Sequence, residues 1–125
     1  MLSKVTANNN FDGIYVNGTP TAAASLNVTI VDSEASNNSN AGVLANSSVG
    51  AAATAVMMRN VVASNNLTGL SVGQNVILRV GNSVVTGNGT GVAASDGGIL
   101  DSYGDNDIDG NTNNNTGVLT VISTH

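Results

Sequence analysis

Cysteine and tryptophan are absent from this 125-residue chain, proline occurs once, and Phe11, Tyr15 and Tyr103 are the only aromatic residues. Without cysteine there are no disulfides and no thiolate metal sites, although this does not fix a compartment. Lys4, Arg59 and Arg79 are the only basic residues, and the net charge is −5. Phosphate-backbone binding needs clustered Lys and Arg, so nucleic acid is excluded as the expected partner. Anionic membranes are disfavoured for the same reason. No apolar run approaches the length of a membrane span. The opening Met1-Leu2-Ser3-Lys4-Val5 lacks the apolar stretch of a signal peptide. The length suits one domain, residues 1–125. An ordinary globular core of this size would carry more aromatics. Plentiful Asn, Ser, Thr and Gly with so little charge would suggest disorder, were there no regular aliphatic pattern to supply burial.

There is such a pattern. A phrase recurs five times: VTANNNFDGI (Val5 to Ile14), EASNNSNAGV (Glu34 to Val43), VASNNLTGL (Val62 to Leu70), VTGNGTGV (Val85 to Val92) and IDGNTNNNTGV (Ile108 to Val118). Taking the first Asn of each phrase gives a column Asn8, Asn37, Asn65, Asn88 and Asn111, separated by 29, 28, 23 and 23 residues. Three residues earlier stand Val5, Glu34, Val62, Val85 and Ile108; after the Gly stand Ile14, Val43, Leu70, Val92 and Val118. Both columns are expected to point inward. Glu34 is then a charge in an aliphatic column, and burial without a partner is costly. It should turn outward on a bulge or pair with Arg59 or Lys4.

The last two full units align with Ile77 over Leu100, Val80 over Tyr103, Gly81 over Gly104, Val85 over Ile108 and Gly87-Asn88 over Gly110-Asn111. Each unit holds three short extended runs, exemplified by Gly69–Val72, Val76–Val80 and Ser83–Thr86, bounded by Gly, Asn and Ser. Gly and Asn supply the left-handed conformations that sharp corners need. The first two repeats are longer, with extra small residues in Gly18–Ser25 and Asn46–Ala53 at one corner. Ala51–Met58 has some helix propensity, but the register predicts strand. A fixed period decides architecture, because each unit can bury its apolar face only against its neighbours. Copies of each strand should therefore pair in parallel, one repeat apart.

In its repeat period, its Asn column and its Asn-x-x-x-Gly-aliphatic phrase, nearly the whole chain resembles the right-handed parallel β-helix proteins of the pectate-lyase-like superfamily. The resemblance implies an all-β, right-handed parallel β-helix solenoid of about five coils, with three short strands per coil and stacked Asn side chains exchanging amide hydrogen bonds. No capping element is evident at either end, which suggests a fragment of a longer solenoid. The resemblance also implies an exported or cell-surface parent.

Asp105-Asn106-Asp107-Ile108-Asp109-Gly110 matches the opening half of a calcium loop, with carboxylates at alternate positions and a Gly for the turn. Asp105, Asp107 and Asp109 are thus candidate weak calcium ligands, but the position for a bidentate Glu holds Thr116. No other cofactor is expected. Asp101, Asp105, Asp107 and Asp109 form an acidic patch on the last repeat, with Arg79 aligned near Ser102. Pectinase members of the superfamily use clustered carboxylates beside an Arg or Lys, so these residues are candidate catalytic groups. The diagnostic motifs of those enzymes are missing, and solvated turn carboxylates are the better explanation of the patch. Ser123 and His125 lie on one strand face and could form part of a nucleophilic site if an Asp oriented the imidazole. No Gly-x-Ser-x-Gly turn accompanies them.

Two functions follow as expectations. One is a rigid binding or structural module, in contact with polysaccharide. The alternative is a hydrolase on the same scaffold, acting on a carboxylic or carbohydrate ester or a glycosidic bond. Unpaired strand edges at both ends also predict a homo-oligomer, with the last repeat at its interface.

Overall fold

The computed structural model describes all residues, Met1–His125. Every regular element is a β-strand: β1 (Leu2–Ser3), β2 (Ile14–Asn17), β3 (Ser25–Ser36), β4 (Ala41–Asn46), β5 (Ala53–Ser64), β6 (Thr68–Val72), β7 (Val76–Gly81), β8 (Val84–Thr86), β9 (Thr90–Ala94), β10 (Ile99–Ser102), β11 (Asp107–Ile108), β12 (Asn113–Thr116) and β13 (Leu119–Val121). Two sheets form, and every pairing is parallel. Sheet 1 runs β1-β3-β5-β7-β10-β13, with β8 joining β5 to β11. Sheet 2 runs β2-β4-β6-β9-β12. Each strand pairs with its counterpart in the next repeat, as in Ile14 with Val43, Val43 with Leu70 and Leu70 with Val92. Within Ala51–Met58 the chain is strand from Ala53 onward and nowhere helix, as the register requires.

Three extended segments per repeat are visible in β7, β8 and β9. In the longer repeats the first two merge into twelve-residue strands, β3 and β5. A left-handed residue still marks the corner within each: Asp32 and Asn60 have φ of 50° and 54°, and Asn82 between β7 and β8 has 47°. The extra residues of the first two repeats lie between β2 and β3 and between β4 and β5. They interlock there, with Ser48 N donating to Thr19 Oγ1 at 3.0 Å.

The core is a cluster of eighteen buried side chains in columns one residue deep. Ile30, Met58 and Val80 make one column, and Val56, Leu78 and Leu100 another. On sheet 2, Ile14, Val43, Leu70 and Val92 are all buried, as expected. The other predicted column holds at Val85 and Ile108 but needs correction in the earlier repeats. Ala35, Ala63 and Val85 are the buried series, flanked by half-buried Ala7 and Ile108. Val62 is 38% exposed and pairs with Glu34 and Val84 on the outer face, and Val5 is only half-buried. Side chains alternate along a strand, so a one-residue slip in phase exchanges inside for outside.

The same slip resolves Glu34. It stands on the outer row, half-buried, and its Oε1 accepts from Asn8 Nδ2 at 3.0 Å. Neither Arg59 nor Lys4 pairs with it; Arg59 pairs with Asp105. Val118 also fails as an inward residue, being 75% exposed. Asn115 takes its place opposite Val92. Between the last two repeats β7 and β10 align Ile77 with Ile99 and Val80 with Ser102. The expected Ile77–Leu100 register is therefore one residue out there. It is right after the corner, where Val85 meets Ile108, because the later repeat has one more residue in that corner.

The polar column is an asparagine ladder, built on Asn38, Asn66, Asn88 and Asn111. Asn38 donates from N and Nδ2 to Asn66 Oδ1 at 2.9 and 3.0 Å. Asn66 does the same to Asn88, and Asn88 to Asn111. The second amide hydrogen goes to a carbonyl of the preceding repeat: Ala7, Ala35, Ala63 and Val85 in turn. Asn8, Asn37 and Asn65 are not rungs. Asn37 and Asn65 precede the rungs with φ of 57° and 55°, a position that Gly87 and Gly110 fill later at 68°. Asn10, not Asn8, is in line with the ladder and donates its backbone N–H to Asn38 Oδ1 at 3.0 Å. No buried side-chain nitrogen or oxygen lacks a partner.

A glycine row runs beneath the ladder for steric reasons. A Cβ on Gly69 would lie 2.6 Å from Gly91 O, 2.5 Å from Val85 Cγ1 and 2.9 Å from Asn88 Nδ2. Gly13, Gly42 and Gly91 are equally confined. Gly69→Ala should therefore destabilise by about 1–3 kcal/mol through overpacking alone. The urea midpoint of unfolding measures it, with Gly50→Ala, where nothing lies within 4 Å but φ is 80°, reporting the cost of a left-handed backbone without a clash.

Candidate functional site

The outward side chains of sheet 1 form the most chemically varied surface of the molecule. Alternation along the strands sets them in rows. One row is Met57, Arg79, Asp101 and Thr120; beside it runs Ala55, Ile77 and Ile99. Arg79 and Asp101 are direct neighbours across β7 and β10, with Nε 3.6 Å from Oδ2. In the next outward row Arg59 is paired with Gly81. Because Gly81 has no side chain, the guanidinium of Arg59 reaches across it, and Tyr103 and Asp105 close on the same gap. Arg59 Nη2 lies 3.8 Å from Asp105 Oδ2, and Asp105 Oδ1 accepts from Asn82 N at 2.9 Å. Both pairs are partly solvated, and ion pairs of this kind contribute little to stability.

Two shallow grooves cross this face. One, of about 430 Å³, is lined by Met57, Arg59, Tyr103, Thr124 and His125. The other, of about 410 Å³, has Ala55, Val76, Ile77 and Ile99 against Ser25, Asn27 and Asn75 and carries no charged residue. The first gathers a cation, an imidazole, a phenol and a hydroxyl, with Asp105 beside Arg59. It can hold a small polar group by hydrogen bonds and charge.

The candidate residues thus divide. Asp101, Asp105 and His125 lie on this face. Ser123 is exposed and does not line the His125 groove. Asp107 stands on β11, beside Val84 on a different outer face. Asp109 sits at the ladder corner. No three of the His, Asp and Glu side chains gather where they could hold a metal ion.

Asp109 has a different task. Its Oδ1 accepts from Gly110 N at 2.8 Å and from Asn114 Nδ2 at 3.0 Å. Asn114 Oδ1 in turn accepts from Asn111 N and Nδ2, both at 3.2 Å, standing in for the rung that would follow. The Gly110 N–H, then the Asn114 amide, hold the Asp109 carboxyl below its ordinary value of 3.8. A depressed carboxyl contributes stability above its unfolded pKa and loses it as the pH falls through the folded value. Asp109→Asn should therefore lower the melting temperature at neutral pH, and the difference from wild type should shrink as the pH falls below about 4. Because the group is fully exposed, the effect is small.

Sequence reasoning missed Arg59, Gly81 and Tyr103 as a unit, and the Arg79–Asp101 pair. The 22-residue offset between Ile77 and Ile99 would have aligned Arg79 with Asp101 directly. No protein-family model matches the chain, and no match is found among curated proteins or solved structures.

Proposed function

We propose that the chain is a right-handed parallel β-helix of about five coils, serving as a rigid structural and binding module of an exported or cell-surface protein. The observation that supports this best is the unbroken asparagine ladder, in which every rung bonds the preceding repeat and Asn38, Asn66 and Asn88 also bond the next. Such a stack is stiff along its length, because each repeat is tied to its neighbours by both strand pairing and ladder bonds. Of the carboxylates that a hydrolase would need, Asp101, Asp105 and Asp109 are held by Arg79, Arg59, Gly110 and Asn114, which leaves Asp107. Polysaccharide contact belongs to the outer face of sheet 2, where Tyr15 stands beside Leu44 and Asn17 beside Asn46. Tyr15 is 51% exposed, and an aromatic ring among amides suits a sugar's apolar face and hydroxyl rim. Self-association is part of the same reading.

The test is a panel of soluble polysaccharides in affinity electrophoresis, run alongside turnover of p-nitrophenyl esters and polygalacturonate. Retardation that Tyr15→Ala removes, without turnover, supports the module. Turnover that Asp107→Ala or His125→Ala abolishes would establish the hydrolase instead.

A further inference from the structure

The outer face of sheet 1 is complementary to itself. It is bounded by the apolar row Ala55, Ile77 and Ile99, with Ile99 46% exposed. Val118, which precedes the residue paired with Leu100, extends this row and is 75% exposed. The neighbouring row carries one cation and one anion on adjacent strands, Arg79 on β7 and Asp101 on β10. We infer that this face packs against the same face of a second copy, around a two-fold axis parallel to the strands and midway between β7 and β10. The inference rests on the self-association within the proposed function and names the surface responsible.

The geometry follows from the axis. Rotation about the strand direction keeps each row in place and reverses the order of the strands. Ile77 then meets the second copy's Ile99, and Ala55 meets its Val118. Arg79 meets the second copy's Asp101, and the reverse contact forms at the same time. Each guanidinium, already 3.6 Å from its own Asp101, gains a second carboxylate, giving a closed ring of two positive and two negative charges. An isologous interface requires this kind of self-complementarity. A two-fold axis along the stack would instead set the apolar row against Arg59 and Tyr103.

The area sets the strength. Four strands overlap about this axis, β5, β7, β10 and β13; about 4.8 Å apart and taken over a width of about six residues, they present roughly 400 Å² per copy. A stable interface of standard size uses about 800 Å² per partner. The dimer is therefore weak and concentration-dependent.

Absence of native cysteine allows a direct test. Two single-cysteine chains, Ile77→Cys and Ile99→Cys, are oxidised alone and mixed, after circular dichroism shows both folded. The expected result is a disulfide dimer in the mixture and little in either chain alone. In sedimentation, Arg79→Glu should shift the monomer–dimer equilibrium at least tenfold towards monomer. Arg79→Glu with Asp101→Arg should restore it, and Val121→Lys at the strand edge should not change it. Cross-linking within one variant alone would overturn the two-fold placement. Dissociation by Val121→Lys with Arg79→Glu silent would overturn the face, while leaving self-association through the ends intact. A wild-type chain monomeric at millimolar concentration would end both, and the polysaccharide result would still stand separately.

Discussion

Asn66→Ala should cost about 4 kcal/mol, one of the two largest losses expected from a single side chain in this molecule. Asn66 is 5% exposed and makes four hydrogen bonds within the ladder. Alanine leaves the Asn38 N–H and one hydrogen of the Asn38 amide without partners in the interior, and it takes a donor from the Ala35 carbonyl. Each orphaned buried group costs about 1–3 kcal/mol, and the sum falls toward the lower end if water enters. The adjacent residue is the control. Asn65 uses its side chain for no hydrogen bond and holds φ at 55°, which glycine adopts freely. Asn65→Gly should change stability by less than about 0.5 kcal/mol. Chemical denaturation of the two variants separates rung from corner, and equal losses would refute the ladder assignment.

Leu78→Ala should cost about 3 kcal/mol, within the range for burying a cavity where a leucine stood. Leu78 is fully buried between Val56 and Leu100 on the neighbouring strands. A column one side chain deep can collapse only from two sides, so little of the cavity is refilled. Val62→Ala, by contrast, should cost less than about 1 kcal/mol, because Val62 is 38% exposed on the outer row. The phase of the repeat is thus open to measurement. A Val62 variant more damaging than Ala63→Ser would restore Val62 to the interior.

The period of the repeat was legible in the sequence, but its phase was not. Where the phrase reads Gly-Asn, as in Gly87-Asn88 and Gly110-Asn111, only one residue can be the rung, and the column was placed correctly. Where it reads Asn-Asn, as in Asn37-Asn38 and Asn65-Asn66, either residue suits a turn. Both in fact have jobs, the first as a left-handed corner and the second as a rung. Choosing the first moved Val62 and Glu34 inward by one residue. The Gly-Asn copies carried the signal to decide between them. The site was less legible. Asp101 and Asp105 were rightly grouped near an arginine, Arg79, but His125 was set with Ser123, and Arg59 is two repeats earlier than Asp105 and reaches it only because Gly81 leaves a gap. A contact made possible by a missing side chain leaves no motif. Asp109 looked like a ligand because its spacing fits a calcium loop, whereas its bonds to Gly110 and Asn114 close the ladder.

Every strand in both sheets bonds only to strands one repeat away. No segment near one end touches a segment near the other, so no single nucleus holds the whole chain together. Unfolding is then governed by nearest neighbours, and it need not be all-or-none. Amide exchange should slow from β1 and β13 towards β5 and β7, as the outer repeats open while the middle stays closed. The chain behaves as a zipper, and a repeat removed from its middle should shorten the stack without unmaking it.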